Sequence, residues 1–395
     1  MRITVAAGVA WAVLGLGACA DGAQHSTADA SVLSGADAAC DAAGWERAAP
    51  EAAGLDPRRL ADMTEAIRTG GEYRNIHAVL IVRDGRLVFE EYFSGEDERR
   101  GTPLGHVVFT PETLHDIRSV SKAVVGALVG IAIDQGLVAS ADQPLLDFFP
   151  EYADLATPER RQITIRHALT MTSGLSWDES TFPYTDIRND ETGMDRSDDP
   201  VRYVLSRPVV AEPGTVWNYN GGLTHLLATV VQRASGRPLL EYARQVLFDP
   251  LCISEVEWVG RLGDLPSAAS GVRLRPRDLA KFGSLFVRQG QWQGRQVISA
   301  AWVGESMTSH IPIDGGAQYG YQQWFIEDLE IGERSVEVLA AWGNGGQLIA
   351  AVPSLRMLVT INAGNYNRAD IGNVPGLVVE QILPAVVDGW GGGAS

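Results

Sequence analysis

The sequence predicts an α/β fold of the α+β type: an antiparallel β-sheet built from both ends of the folded region, flanked by helices, with an inserted, mainly helical subdomain. Two observations support this prediction. Segments rich in β-formers lie near residues 76–93 and again from residue 340 onward, whereas the intervening segment, roughly 125–285, has the apolar spacing of helices. No internal repeat is visible, which argues against a repeat architecture.

The folded region begins with a helix and a β-hairpin. The stretch GLDPRRLADMTEAIRTG opens with Asp-Pro and has apolar residues at Leu60, Met63 and Ile67, which is the spacing of an amphipathic helix. The next stretch, HAVLIVRDGRLVFEEYF, contains two β-rich runs around Asp84 and Gly85. Both turn residues tolerate positive φ, so the pair predicts a tight hairpin.

Helical patterns fill the middle of the chain, and a second β-rich region follows them. The stretch GGLTHLLATVVQRASGRPLLEYARQVLFDPL predicts two helices separated at Gly236. Residues 178–200 carry many acids and turn formers and predict an exposed loop at the edge of a cleft. AAWGNGGQLIAAVPSLRMLVTINAG predicts a glycine-rich hairpin, and VPGLVVEQILPAVV a final helix.

Composition and charge exclude several classes of function. The chain has 395 residues, 45% of them hydrophobic and 21% charged, which is ordinary for a globular protein. Its formal net charge is -17, and no basic stripe is visible, so no nucleic-acid partner is expected. The seven histidines and three cysteines show no zinc-type spacing, and there is no glycine-rich phosphate loop. The sequence therefore predicts no metal and no cofactor.

The N-terminus predicts export. Residues 1–18 have a positive charge at Arg2 followed by an apolar stretch too short to span a bilayer comfortably, as in a signal peptide. The run Leu16-Gly17-Ala18-Cys19 resembles the lipobox of bacterial lipoproteins, which predicts lipidation of Cys19 and membrane contact through that anchor alone. An ordinary signal peptide, cut after a small residue, is the alternative. Both place the protein in the cell envelope or periplasm.

The segment after Cys19 predicts a flexible tether over residues 19–44, because it is small, polar and without amphipathic period. The folded domain is then expected over 45–395. If Cys19 carries lipid, Cys40 and Cys252 remain as an even pair in an oxidising compartment, where a disulfide is favoured. Two unpaired thiols, with Cys252 buried, remain the alternative.

Lys122 is a candidate catalytic residue. Among 32 basic residues only Lys122 and Lys281 are lysines, and arginine cannot give up its proton as lysine can. Ser119 precedes Lys122 by three residues at the start of an apolar helical run, so the hydroxyl and the amine share a face. A neutral lysine could accept the serine proton and make Ser119 a nucleophile. The alternative is a helix N-cap followed by a solvated lysine.

Five segments, in order, resemble the serine β-lactamase-like and penicillin-binding-protein-like hydrolases, closest to the class C and esterase branch. They are RSVSKAVVGALVG, LTMTSGLSWDE, EPGTVWNYNGG, SGVRLRPRDLAKFGSLFVRQGQWQGRQVI and WGNGGQLIAAVPSL. The resemblance implies that Ser119 is the acylated nucleophile and Lys122 its partner. It also implies that Tyr219, after Pro213-Gly214, moves protons between Ser119 and the leaving group.

The sequence departs from this family at two places. Gly221 stands where the family usually has an asparagine that holds a substrate amide. The strand that faces the serine reads Trp342-Gly343-Asn344-Gly345-Gly346, with no lysine or histidine to bind a substrate carboxylate. Its backbone could still form an oxyanion hole at Gly345 or Gly346 with the Ser119 N–H. Trp342 either lines an apolar pocket or belongs to the core, and Asn344 is a further candidate for substrate contact.

These residues predict an exported serine hydrolase that cleaves small ester or amide substrates through an acyl-enzyme, most simply an esterase or a hydrolase of short amides. A β-lactamase or a D-amino-acid peptidase acting on cell-wall fragments is the alternative within the same chemistry. A non-catalytic, penicillin-binding-like envelope lipoprotein is the alternative from a different class.

Overall fold

The structure, a computed structural model, describes residues 44–260, 263–313, 316–368 and 371–389. The predicted signal peptide (1–18), Cys19 and Cys40 lie outside these ranges, as does all but the last residue of the predicted tether (19–44). Within the ranges described, no helix combines the length and apolar character needed to cross a bilayer.

Both ends of the folded region contribute strands to one large sheet. The strands of the described ranges are β1 (Ile76–Arg83), β2 (Arg86–Tyr92), β3 (Ser94–Arg99), β4 (Thr102–Val108), β5 (His115–Asp116), β6 (Val256–Trp258), β7 (Val272–Leu274), β8 (Gln291–Trp292), β9 (Arg295–Gln296), β10 (Ile311–Pro312), β11 (Gln318–Tyr319), β12 (Trp324–Ile331), β13 (Arg334–Gly343), β14 (Gln347–Val352) and β15 (Met357–Ala363). The large sheet has the order β10-β11-β12-β13-β14-β15-β1-β2, with antiparallel neighbours throughout.

The centre of this sheet joins the two ends of the folded region. Strand β1 pairs with β15, with Val79 opposite Ile361. The predicted hairpin follows: β1 turns into β2 through Asp84 and Gly85, whose φ angles are +51° and +76°. The predicted α+β fold, with a sheet built from both chain ends, is thus confirmed.

Helices cover both faces of the sheet. Those in the described ranges are α1 (Pro57–Thr69), α2 (Ser121–Asp134), α3 (Ile165–Leu169), α4 (Asp190–Asp195), α5 (Pro200–Leu205), α6 (Gly221–Ser235), α7 (Leu239–Ala243), α8 (Pro276–Val287), α9 (Ala300–Ser306) and α10 (Val374–Gly376), the last followed by helical turns to Ala385. Helix α1 begins where Asp56 accepts the Arg58 N–H at 2.9 Å. Its buried apolar stripe packs with the C-terminal helical turns on one face. Helices between β5 and β8 cover the other face.

The predicted separation at Gly236 is confirmed: helix α6 ends there, with a left-handed φ of +66°. The prediction of an exposed loop over residues 178–200 holds only for part of that segment: Thr181, Ile187 and Arg188 are exposed, but the segment also contains α4. Glu179, Asn189 and Glu191 are buried, because the segment folds inward and its polar groups find partners there. The Asn189 amide, for example, donates to the Glu179 and Phe182 carbonyls at 3.2 and 2.8 Å.

Cys252, which ends a short helical turn, is disulfide-bonded. Its predicted partner, Cys40, lies outside the described ranges. The alternative in which Cys252 is an unpaired thiol is therefore wrong, while the pairing with Cys40 stays a prediction.

Candidate active site

Ser119 and Lys122 lie side by side, as their spacing predicts. Ser119 lies in a 3-10 turn (Arg118–Val120) that leads directly into α2, and Lys122 is in the first turn of that helix. The Lys122 ammonium donates to Ser119 Oγ at 3.2 Å and to the Ala269 carbonyl at 3.4 Å. The Lys122 side chain is 1% exposed. A buried ammonium of this kind directs its protons at a small, fixed set of acceptors.

The backbone just before Ser119 is strained. Arg118 has a φ of +47°, a conformation that costs a non-glycine residue free energy and that surrounding contacts must hold in place. Its guanidinium forms ion pairs with Glu98 and Asp116 and lies 4.6 Å from the ring centroid of Tyr366. These contacts fix the turn that presents Ser119.

Tyr219 completes the group. Its loop is held in place because the Asn218 N–H donates to the Met171 carbonyl at 2.9 Å, and α6 begins when Asn220 accepts the Leu223 N–H at 3.1 Å. The Tyr219 ring centroid is 4.7 Å from Lys122 Nζ. The structure thus brings together the three residues that the sequence singles out.

Two buried carboxyl groups, which the sequence did not assign to the site, lie beside this group. Glu179 Oε1 is 3.9 Å from Lys122 Nζ, and the carboxyl also accepts hydrogen bonds from the Gly221 N–H, the Trp177 indole and the Tyr184 hydroxyl. The Glu191 carboxyl lies beside that of Glu179. Glu179 is the last residue of LTMTSGLSWDE, the one sequence signal for its position.

The carboxyl pair explains the glycine at position 221. A Cβ placed on Gly221 would lie 3.0 Å from a Glu179 oxygen and 3.2 Å from a Glu191 oxygen. The side chain that the family usually carries at this position would therefore press against both carboxyl groups. The glycine at position 221 thus leaves room for the Glu179 and Glu191 carboxyl groups.

The electrostatics of the site act on the pKa values of Lys122, Tyr219 and Glu179. Burial lowers the pKa of Lys122, but the charges that Tyr219, Glu179 and Glu191 carry when ionised outweigh burial and leave this pKa above its ordinary value. Burial also raises the pKa of Tyr219, although the Lys122 ammonium works against it. Burial and Glu191 raise the pKa of Glu179. At rest, Lys122 is therefore an ammonium and Tyr219 a phenol.

An aromatic wall (Trp217, Tyr219, Tyr319 and Trp324) adjoins the group. The Trp324 ring centroid is 6.2 Å from that of Tyr219 and 5.5 Å from those of Trp217 and Tyr319. Trp324 pairs with Ala340, and Ala340 and Trp342 are two residues apart on β13. Trp324 and Trp342 therefore lie on the same face of the sheet. Trp342, like Trp324, is half-buried and packs against the apolar cluster formed with α1 and the C-terminal helical turns.

The turn between β13 and β14 lies against the segment that leads to Ser119. A Cβ on Gly343 would be 2.5 Å from the Ile117 carbonyl oxygen, two residues before Ser119. The Gly346 N–H donates to the Gly343 carbonyl at 3.2 Å, so it is engaged within the turn. The Asn344 side chain exchanges two hydrogen bonds with Asn367, both at 2.8 Å. Gly345 forms an isolated antiparallel bridge with Asn365, whose N–H donates to the Gly345 carbonyl at 3.0 Å.

Comparison with known proteins shows similarity to a family of hydrolases. A family model described as Beta-lactamase matches residues 65–365. A 6-aminohexanoate-dimer hydrolase from Paenarthrobacter ureafaciens is 27% identical over 257 residues, 62% of this chain and 59% of that protein. Lovastatin esterase from Penicillium rubens is 28% identical over 200 residues, 46% of this chain and 49% of that protein. The alignments thus span less than two thirds of both relatives.

Solved structures show the same fold. A simvastatin synthase variant from Aspergillus terreus superimposes with a TM-score of 0.63 at 18% sequence identity, covering 84% of this chain and 98% of that one. The architecture described above is therefore that of the penicillin-binding-protein and β-lactamase fold.

Proposed function

Because this chain belongs to the Beta-lactamase family, we propose that it is a serine hydrolase that cleaves small neutral esters or short amides through an acyl-enzyme on Ser119. Family members with this fold are serine hydrolases acting on esters and amides, and the relatives include an esterase and an amide hydrolase. One observation carries the proposal: a fully buried lysine donates to Ser119 Oγ at 3.2 Å and lies against the Tyr219 ring.

The resting protons determine how the site must work. With Lys122 an ammonium and Tyr219 a phenol, one proton has to leave this pair before Ser119 can lose its own. The Glu179 and Glu191 carboxyl groups can take up that proton, since a Glu179 oxygen lies 3.9 Å from Lys122 Nζ and Glu191 lies beside Glu179. Once that proton has moved, Lys122 and Tyr219 can together accept the Ser119 proton as Oγ attacks the carbonyl carbon.

The remaining steps use the same groups. The tetrahedral oxyanion is stabilised by the backbone N–H groups of Ser119 and Gly345, and the proton taken from Ser119 passes through Tyr219 to the leaving alcohol or amine. Water then attacks the acyl-enzyme, with Tyr219 and Lys122 as base, and releases the acid and the free serine.

The surroundings favour neutral, apolar substrates. The aromatic wall offers large apolar rings beside Tyr219. The charged groups nearest Lys122 are the Glu179 and Glu191 carboxyls, which would repel a substrate carboxylate such as that of a penicillin. The guanidinium of Arg188, in the 178–200 segment, forms an ion pair with Asp186 at 2.6 Å and so already has a carboxylate partner. This argues against the penicillin-directed alternative.

We also propose that the protein works outside the cytoplasm, anchored through lipid on Cys19. The disulfide at Cys252 supports an oxidising compartment. Mass spectrometry of membrane-extracted protein should find a diacyl or triacyl group on Cys19. Unmodified mature chain in the soluble export fraction would instead indicate an ordinary signal peptide.

A fluorophosphonate probe tests the catalytic proposal. We expect wild-type protein to be labelled on the peptide containing Ser119, and Ser119→Ala to take up no probe while keeping the wild-type Tm. The neighbouring Ser121, whose hydroxyl accepts the Val272 N–H at 3.1 Å, provides the matched control: Ser121→Ala should still be labelled. Wild-type protein that is folded but takes up no probe would favour the non-catalytic binding protein.

A further inference from the structure

A second buried polar cluster lies outside the active site and combines two histidines with a carboxylate. His77 comes from β1, Asp97 from β3 and His115 from β5. Both imidazoles are 0% exposed and Asp97 is 6% exposed. Their ligand atoms all lie within 4.8 Å of one another. The three strands belong to three different sheets, so this cluster connects separate parts of the fold.

The hydrogen bonds around His77 fix which of its ring nitrogens carries the proton. The side chain of Asn75 is oriented by the Glu96 backbone, since its Nδ2 donates to the Glu96 carbonyl and its Oδ1 accepts the Glu96 N–H, both at 2.9 Å. That same Oδ1 is 3.1 Å from His77 Nε2. Nε2 must therefore be the donor, which leaves a lone pair on His77 Nδ1.

The same reasoning applies to His115. Its Nδ1 is 2.9 Å from the Asp116 carbonyl oxygen, which can only accept, so Nδ1 carries the proton and Nε2 has the lone pair. Yet His115 Nε2 faces His77 Nδ1 at 2.9 Å, and Asp97 Oδ1 is 3.7 Å away. Two lone pairs and a carboxylate thus converge on one buried point, an arrangement that is repulsive unless a cation lies between them.

We propose that His77 Nδ1, His115 Nε2 and the Asp97 carboxylate bind a divalent transition-metal ion, with Zn²⁺ the best match, and water as a fourth ligand. Neutral imidazole and carboxylate are ligands that zinc prefers, at about 2.0–2.2 Å. Ligands at that distance in a tetrahedron are separated by about 3.3 Å, so the 2.9 and 3.7 Å contacts of His115 have to change by about 0.4 Å. The separation of His77 from Asp97, which is at most 4.8 Å, has to shorten by at most about 1.5 Å. This departs from the sequence-based prediction of no metal.

The surroundings have the features of a built metal site. Metal-bound histidines usually donate their other ring N–H to a carbonyl or carboxyl oxygen, as His77 and His115 do here. Asp97 is oriented by the Tyr366 hydroxyl, which donates to Oδ1 at 3.0 Å. Burial lowers the pKa of both imidazoles, which keeps them in the neutral form that binds metal.

A metal at this point would act as a structural tie for the nucleophile segment. His115 is four residues before Ser119, and Tyr366, which orients Asp97, also lies under the Arg118 guanidinium. The ion would hold β1, β3 and β5 together and so support the strained turn that presents Ser119. We expect metal removal to lower Tm first and activity only as a consequence.

Metal content of the tag-free full chain provides the direct test. We expect wild-type protein, stripped with dipicolinate, incubated with Zn²⁺ and gel-filtered, to retain about one zinc per chain and to regain the Tm lost on stripping. Co²⁺ in its place should give the intense visible bands of a four-coordinate ion. Retention of less than a tenth of a zinc per chain, with only the weak spectrum of aqueous Co²⁺, would overturn the proposal and leave a shared proton in the cluster.

Variants separate this site from adventitious binding. Asp97→Asn and His115→Ala should lower zinc affinity at least tenfold, and Asn75→Ala, which frees the His77 ring, by about 10–100-fold. The matched control is His106→Ala, on the neighbouring strand β4, whose exposed imidazole is 3.5 Å from a Glu96 oxygen. It should retain wild-type zinc. Ser119→Ala should also retain it, which distinguishes this site from the proposed catalytic one. Equal zinc in His115→Ala and wild type would contradict the assignment, and the wild-type measurements decide if His115→Ala does not fold.

Discussion

The two lysines of this chain both lie on helices but meet different partners. Lys281, in α8, contacts Asp278 Oδ1 at 2.7 Å and donates to the Cys252 carbonyl at 2.8 Å. Lys122, in α2, has its nearest carboxylate oxygen at 3.9 Å and directs its protons at Ser119 and Ala269. The Lys281 ammonium forms a close ion pair with a carboxylate. The Lys122 ammonium has no carboxylate within hydrogen-bond distance among the described residues. In the proposed mechanism, Lys122 is therefore the lysine that exchanges a proton.

Replacing each lysine by arginine should give the largest difference in activity between the two sites. Lys122→Arg should lower kcat/KM for a p-nitrophenyl ester by about 10³-fold or more, nearly as much as Lys122→Ala, because arginine keeps the charge but not the exchangeable proton. Lys281→Arg should stay within about twofold of wild type, since charge and donors are all that its partners require. An active Lys122→Arg enzyme would mean that Lys122 contributes only charge.

The carboxylate partners of the two lysines extend the test. Glu179→Gln should lower kcat about 10–100-fold with little change in KM, because the lysine loses the acceptor that takes up its excess proton. Asp278→Asn, the corresponding change beside Lys281, should lower Tm and leave kcat/KM within about twofold. Steady-state kinetics at several pH values, together with thermal unfolding, distinguish the two outcomes. Equal kinetic losses in both variants would remove the special role given to Glu179.

The acids around Lys122 also bear on substrate choice. A charge-assisted hydrogen bond to a substrate carboxylate is worth roughly 1.5–3 kcal/mol, so its absence should lower penicillin recognition by about one to two powers of ten. We therefore expect kcat/KM for p-nitrophenyl acetate or butyrate to exceed that for nitrocefin and benzylpenicillin. The reverse ranking would favour a β-lactamase or D-amino-acid peptidase and leave Ser119, Lys122 and Tyr219 in place.

The smallest expected effect concerns stability against pH. Burial and Glu191 raise the pKa of Glu179 to about 8, from an ordinary 4.5. Between these values the folded state binds more protons than the unfolded state, so the contribution of Glu179 to stability is full below about pH 4.5 and is lost as pH rises to about 8. Glu179→Gln should flatten this decline by roughly 1–3 kcal/mol. Parallel Tm profiles for wild type and variant over pH 5 to 8.5 would contradict it.

The sequence predicted the features that depend on neighbours along the chain. The hairpin at Asp84-Gly85 and the contact of Ser119 with Lys122 both follow from local geometry. The sequence did not predict the burial of Glu179 and Glu191, because acids in a turn-rich segment are usually solvated and their partners here lie on distant segments.

The histidine cluster could not be predicted from the sequence for the same reason. His77, Asp97 and His115 come from three strands and have no zinc-type spacing, so only the folded chain brings them together. The pKa of Lys122 also depends on partners that are remote in sequence: burial lowers it, whereas Tyr219, Glu179 and Glu191 raise it.

In the proposed mechanism, Ser119 carries the acyl group, and Lys122, not Lys281, is required for acylation. Rapid-quench intact-mass measurement of wild type, Lys122→Arg and Lys281→Arg with p-nitrophenyl butyrate tests it most directly. We predict one butyryl group on the Ser119 peptide in wild type and in Lys281→Arg, and essentially none in Lys122→Arg over the same time. Acylation of another residue, or equal acylation of Ser119 in Lys122→Arg, would contradict the claim.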